Sequence, residues 1–114
     1  MRSMDNAEQL SARLTAIAST QHLRILSLLS GERLHVSELA RRVGMSRALL
    51  YMHLTKLEEA GFVSGSLELS SDGKAMKFFE ATPFQLTIDL PSIAAAVARS
   101  PLEPQGTGVT ESEK

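Results

Sequence analysis

The sequence contains no cysteine and no tryptophan, and aromatic residues make up only 4% of it. Without thiols, the chain cannot form a disulfide framework, an iron–sulfur cluster, a thiolate metal site or a cysteine nucleophile, which suits a reducing cytosol. Apolar runs such as residues 93–98 are far shorter than the ~18–20 residues of a membrane-spanning helix. The N-terminal segment is too polar for a signal peptide. We therefore expect a cytoplasmic protein that makes no contact with a membrane.

A large excess of one charge is also lacking, because 12 Lys and Arg residues face 13 Asp and Glu residues in 114 positions. The total gives no support for a strongly basic nucleic-acid binder. Residues 100–114 combine prolines, glycines and a net charge of −2 with almost no apolar side chains, which predicts a disordered acidic tail. Residues 1–99 then carry +1 and have the length of one small domain.

Apolar residues at helical spacing predict four helices in the first 60 positions. The predicted ranges are residues 8–19, 21–30, 38–43 and a last helix that opens at Met45 and Ser46 and runs to about residue 60. Thr20 and Ser46 are the predicted N-caps, and Gly31 and Gly61 are the predicted stops. Gly44 supplies a residue able to adopt a positive φ between the two later helices.

The pattern then changes to that of strands. Residues 62–69 and 74–81 flank the turn-forming segment 70–73 (SSDG), which predicts a β-hairpin. Residues 84–90 alternate between apolar and polar, which predicts an extended segment, and Pro91 can start a short helix over residues 91–99. A short helix, a tight turn, a longer helix and a hairpin are the elements of a winged helix-turn-helix, a mainly α fold with a β-hairpin wing.

The longer helix has two faces. Leu50, Leu54 and Leu57 lie on one side and predict its packing surface, whereas the opposite side would present residues to a DNA major groove. The predicted base readers are Arg47, Ala48, Tyr51, Met52 and Thr55, and the predicted backbone contacts are Arg41, Arg42, Ser46, Lys56, Lys74 and Lys77. Two alternatives stay open: the charged residues are merely a solvated face, or the winged helix binds a protein.

Several segments resemble the ArsR/SmtB family of transcriptional regulators. These are residues 14–26 (LTAIASTQHLRIL), 37–40 (SELA), 44–46 (GMS), 53–63 (HLTKLEEAGFV) and 73–79 (GKAMKFF). The resemblance implies a winged-helix, sequence-specific DNA-binding regulator, commonly a repressor, whose terminal helices pair two copies on a palindromic operator. Residues 1–99 would then form the DNA-binding and dimerisation domain. The candidate dimer contacts are Leu10, Leu14, Ile17, Ile93 and Val97, for which burial within one subunit is the alternative.

Many members of that family sense metals, but both of the usual metal sites are absent from this sequence. The thiolate site needs cysteine, and the C-terminal region offers only Asp89. His22 and His35 are the remaining candidate ligands for nickel, zinc or cobalt. They could converge on one ion, or join a carboxylate such as Asp5, Glu8 or Glu32 at a dimer interface. His53 is expected to pack and to form a hydrogen bond. No nucleophile motif or phosphate-binding loop predicts an enzyme.

Overall fold

A computed structural model describes residues 5–101. The elements, in chain order, are α1 (Ala7–Ile17), α2 (Thr20–Leu29), β1 (Leu34–His35), α3 (Val36–Val43), α4 (Arg47–Glu59), β2 (Val63–Leu69), β3 (Ala75–Ala81) and α5 (Leu90–Arg99). They belong to two compact units, one comprising Ser11–Gln85 and the other the chain up to Leu10 and from Leu86 onward. The predicted tail lies outside the described residues beyond position 101. None of the described helices is long and apolar enough to cross a bilayer.

Side-chain caps determine where the helices of the larger unit begin. The Ser46 hydroxyl accepts from the backbone N–H of Leu49 at 3.1 Å, as predicted for the N-cap of α4. The predicted cap of α2 is wrong, because Ser19 accepts from the N–H of His22 at 3.2 Å and Thr20 is already helical. The N-cap lies one residue earlier than predicted, and the two positions are hard to tell apart in the sequence because serine and threonine both have the required hydroxyl.

The third helix begins two residues earlier than predicted. His35 caps it, since its Nδ1 accepts from the backbone N–H of Ser37 at 3.1 Å, and an imidazole cap is absent from the usual N-cap preferences. At the other end Gly44 has φ of 74° and closes the helix in the left-handed conformation that glycine adopts without steric cost. The tight turn from α3 to α4 follows from this glycine.

The core of the Ser11–Gln85 unit is formed by apolar side chains of α2, α3, α4 and the sheet. The fully buried large side chains are Ile25, Leu39, Leu50, Leu54, Leu57 and Phe62. The three leucines of α4 are the predicted packing face, and their burial confirms that assignment. Phe79 closes the core against the sheet, and its ring lies so near Gly65 that a β-carbon there would sit 2.8 Å away.

The sheet confirms the hairpin and adds one strand. β2 pairs antiparallel with β3 from Val63↔Ala81 to Leu69↔Ala75. β1, which was not predicted, pairs with the other edge of β3 and gives the order β1-β3-β2. The extended segment predicted for residues 84–90 pairs with no strand: residues 82–88 are irregular and Leu90 is already the first residue of α5.

The unit made of the chain ends is built around α5. Asp89 and Ser92 form a reciprocal capping box at its start, with Pro91 in the first turn, in agreement with the predicted helix. At its end, the Ser100 hydroxyl accepts from the N–H of Ala7 at 2.8 Å. This hydrogen bond links the start of α1 to the residue that follows α5.

Candidate nucleic-acid interface

The outer face of α4 is exposed along its whole length. Arg47, Ala48, Tyr51, Met52 and Thr55 are all exposed, opposite the buried leucines of the same helix. The sequence pattern therefore predicted which side of α4 is exposed. Ser46 and Lys56 are exposed as well. The structure thus places all seven predicted contacts of this helix on solvent-accessible surface. Ser46 and Arg47 lie at its N-terminus, where the positive end of the helix dipole favours anions, whereas Lys56 lies in its last turn.

Arg47 is the first residue of this face, and its side chain is hydrogen-bonded to a hydroxyl group and not to a carboxylate. Its Nη1 donates to the Ser37 hydroxyl at 3.2 Å, and among the described residues 5–101 it forms no ion pair. A neutral hydroxyl orients the guanidinium while leaving its positive charge uncompensated. The side chain keeps further N–H donors for a planar bidentate acceptor such as a guanine edge.

The two arginines of α3 are in a different environment. Both are bound to Glu38: the Arg42 Nε donates to its Oε2 at 2.7 Å, and Arg41 donates through Nε at 3.2 Å and through Nη2. Arg42 also reaches Glu32 at 3.3 Å. The hydrogen bonds from Arg42 and then from Arg41 lower the pKa of Glu38, so the carboxylate is ionised at neutral pH.

The wing carries the remaining predicted cations. Lys74 is exposed beside the turn, whereas Lys77 is half-buried with its ammonium 5.5 Å from the centroid of the Phe79 ring. Asp72 at the tip accepts from the Ser70 hydroxyl and from the N–H of Lys74 at 3.3 Å. The Ser70 hydrogen bond lowers the pKa of Asp72 and keeps it ionised. The tip of the wing therefore presents the exposed ammonium of Lys74 next to the carboxylate of Asp72, which its hydrogen bonds hold in place.

An ion pair that the sequence did not reveal joins the wing to the segment before β1. Arg33 forms a two-pronged hydrogen bond with Glu68, at 2.9 Å from Nη2 to Oε1 and through Nη1 to Oε2. The hydrogen bond from Arg33 lowers the pKa of Glu68. The guanidinium also lies 4.3 Å from the centroid of Phe78. This contact fixes one side of the wing.

Two histidines form a hydrogen-bonded pair between α2 and the outer helix α4. The carbonyl of Ala16 can only accept, so His22 Nδ1 donates to it, and His22 Nε2 shares a hydrogen bond with His53 Nδ1 at 2.9 Å. His22 is buried, and His53 packs with a hydrogen bond as expected. Burial, followed by the charges of His22 and Lys56, lowers the pKa of His53. The pair tethers the exposed helix to the core.

His35, the other candidate metal ligand, has separate partners. It caps α3 and packs edge-on against Phe78, with ring centroids 5.6 Å apart. Within residues 5–101 no group of three or more His, Asp or Glu side chains is placed to hold a metal ion. Metal binding through His22 or His35 stays a prediction, for which saturable heat on titration of nickel, zinc or cobalt is the test.

A helix-turn-helix of α3 and α4, followed by the β2–β3 hairpin, makes this a winged helix-turn-helix protein. Residues 20–64 match the family described as bacterial regulatory protein, arsR family. The chain is 32% identical over 74 residues to the uncharacterized HTH-type transcriptional regulator MJ0229 of Methanocaldococcus jannaschii, covering 65% of this chain and 77% of that one.

Solved structures have the same fold. NolR from Sinorhizobium fredii matches with a TM-score of 0.57 and 27% identity over 73% of this chain and 83% of its own. The homodimeric winged helix-turn-helix DNA-binding domain of Mb0332 from Mycobacterium bovis matches with a TM-score of 0.56 and 20% identity, over 80% and 73%. The chain belongs to the ArsR family, so it is a DNA-binding transcriptional regulator and not an enzyme.

Proposed function

We propose that two copies of this chain form a homodimer that binds a palindromic operator and represses transcription. The observation that carries the proposal is the exposed face of α4, headed by an arginine whose charge no described carboxylate compensates. A two-fold dimer would present this face twice, which matches a palindrome with half-sites about one helical turn apart. The repressor role follows the family expectation.

The terminal helices supply the proposed dimer surface. In α5, Ile93 and Val97 lie one turn apart and are exposed, Val97 by 57% of its surface, and Leu90 on the same side is exposed by 81%. No residue of α1 is buried, and Leu10, Leu14 and Ile17 are only half-buried. Apolar stripes of this kind are typical of surfaces that a second subunit covers. The Mb0332 domain, which has the same fold, is homodimeric, which supports the proposal that this chain forms a dimer.

The proposed DNA contacts divide into two classes. Arg47 pairs with the O6 and N7 atoms of a guanine, Tyr51 and Thr55 hydrogen-bond to a base edge or a phosphate, and Ala48 and Met52 meet thymine methyl groups. The phosphate contacts are Ser46, Arg41, Arg42, Lys56, Lys74 and Lys77. Lys77 would have to leave the Phe79 ring to reach a phosphate, so Lys74 is the stronger wing contact.

Selection of bound duplexes from a random pool, followed by affinity measurements on the winning sequence, tests this function. Arg47→Ala removes one bidentate base contact from each half-site, about ten- to a hundredfold apiece, so it should weaken binding of the dimer by about a hundred- to ten-thousandfold and relax the preference at one position of each half-site. Arg24→Ala, which removes an exposed arginine from α2, is the matched control and should change affinity much less. Equal affinities for wild type and Arg47→Ala would contradict the assigned face.

The homodimer and the repressor role need separate measurements. Analytical ultracentrifugation of the full chain should give twice the monomer mass, and footprinting of the selected duplex should show two symmetric half-sites. A reporter placed downstream of that duplex should fall in expression when the protein is supplied. A monomeric footprint or a rise in expression would contradict these parts of the proposal.

A further inference from the structure

We propose that Glu38 competes with DNA phosphate for Arg41 and Arg42, and so acts as a negative determinant of DNA affinity. The inference rests on the proposed function, because it takes α3 to be one of the elements that meet the phosphate backbone. It assigns a role to an acidic residue within a surface whose other predicted contacts are neutral or basic.

The competition follows from how the guanidinium groups are engaged. Glu38 occupies both the Nε and the Nη2 donors of Arg41, which is the edge that would form a two-pronged bond to a phosphate. The same carboxylate takes the Nε of Arg42 at 2.7 Å, while Glu32 takes an Nη1 donor at 3.3 Å. A phosphate must displace Glu38 to use these donors in the same geometry.

Displacement is feasible because the ion pairs are accessible to solvent. The Arg41 side chain is 72% exposed, and its pair with Glu38 joins residues three apart on one helix. Exposed pairs of this kind are individually weak, whereas a duplex presents a dense row of phosphates and releases counterions when they are neutralised. Phosphate can therefore replace the carboxylate, but each binding event must first break the internal pairs.

The arrangement also separates two kinds of arginine. Glu38 neutralises Arg41 and Arg42, which face the DNA phosphates in the proposed complex. Arg47 instead donates to a hydroxyl group, and its charge is not neutralised. As a result, phosphate contacts contribute less to the DNA affinity, relative to base contacts, than the number of cations on this surface indicates. It explains how a surface rich in cations belongs to a chain whose residues 1–99 carry only +1.

Glu38→Gln tests the competition on a duplex of random sequence, so that no operator is required. The variant keeps the side-chain shape and removes the charge. We expect its affinity to rise by about three- to tenfold at low salt, and the slope of log affinity against log salt to steepen by about one, the value for one additional neutralised phosphate. Fluorescence anisotropy at several salt concentrations gives both quantities.

Two matched variants make the result specific. Glu32→Gln should have a smaller effect in the same direction, because Glu32 reaches only Arg42 and at 3.3 Å. Glu58→Gln removes the same charge from the far end of α4, where no described ion pair is involved, and should change affinity least. Thermal melts by circular dichroism check that each variant is folded before binding is compared.

Two outcomes would overturn the inference: no difference between Glu38→Gln and Glu58→Gln, or weaker binding by Glu38→Gln. The latter would mean that the carboxylate orients the arginines for phosphate. Arg41→Gln and Arg42→Gln distinguish this failure from that of the proposed function. If they weaken binding while Glu38→Gln does not strengthen it, only the competition is wrong. If neither changes binding, α3 does not contact DNA and the proposed backbone contacts are wrong as well.

Discussion

The helix α4 buries its apolar residues within its own subunit, whereas α1 and α5, the first and last described helices, leave most of theirs exposed or half-buried. α4 buries Leu50, Leu54 and Leu57 almost completely within its own subunit. α5 has the same kind of stripe, with Ile93 and Val97 one turn apart, yet it buries only Ala96. α1 buries no residue at all.

The contrast indicates where each helix obtains its stability. A helix of 10 to 13 residues is marginal alone and depends on the packing of its apolar face. For α4 that packing is internal, so its outer face remains available for DNA. The apolar face of α5 is exposed in one chain and that of α1 is only half-buried, and the proposed second copy would cover both. Folding and assembly should therefore respond to different mutations.

The largest expected effect is on the internal face. Leu54→Ala removes a side chain that is only 1% exposed and should lower the free energy of unfolding by about 2–5 kcal/mol, through lost burial and the cavity left behind. Urea denaturation measures this. Met52→Ala, two positions away on the exposed face, is the control and should stay within about 0.5 kcal/mol of wild type. If both substitutions lowered the free energy of unfolding by a similar amount, the claim that only one face of α4 packs against the core would be wrong.

The next effect concerns the terminal helices. Val97→Glu places two charges in the proposed two-fold interface and should shift the mass in ultracentrifugation from dimer to monomer at micromolar concentration. The secondary structure seen by circular dichroism should be kept. Ala98→Glu is the matched control, since position 98 points about 140° away from Ile93 around the helix. A dimer that persists in Val97→Glu would show that α5 packs elsewhere.

The smallest expected effect is a pH dependence of stability from the tether between the core and α4. The pKa of His53 is lower in the folded chain than in the unfolded one, so the unfolded state binds more protons in the window between the two values. This contribution to stability is present above about pH 6.5, the ordinary histidine value, and is lost as the pH falls through the folded pKa.

His53→Gln tests this contribution. Chemical denaturation of wild type and variant should show that the variant loses less of its free energy of unfolding as the pH is lowered below 6.5. The other titrating groups are common to both proteins, so the comparison isolates the histidine. Parallel curves for the two proteins would contradict the assignment.

Most helix ends could be predicted because their signals are local. Ser46, Gly44, Gly61 and Pro91 each act within a few residues of their own position. The strand β1 was missed because two residues have no detectable periodicity and its partner lies more than 40 residues away.

The predicted site was incomplete for a related reason. The outer face of α4 follows from helical geometry, but the pairing of His22 with His53 joins residues 31 apart and has no sequence signal. The ion pairs of Glu38 with Arg41 and Arg42 can be predicted from the sequence, because Glu38 precedes the two arginines at the i,i+3 and i,i+4 spacings of a helix.

The most direct test maps the DNA contacts on the full chain. It asks whether α4 and the wing bind DNA while the terminal helices do not. Titration of ¹⁵N-labelled protein with a selected duplex should shift the backbone amides of residues 46–55 and those around Lys74 in the wing. Amides of α5 around Ile93 should be unaffected. Shifts confined to α1 and α5, with residues 46–55 unchanged, would show that the terminal helices bind DNA and would contradict the proposed interface.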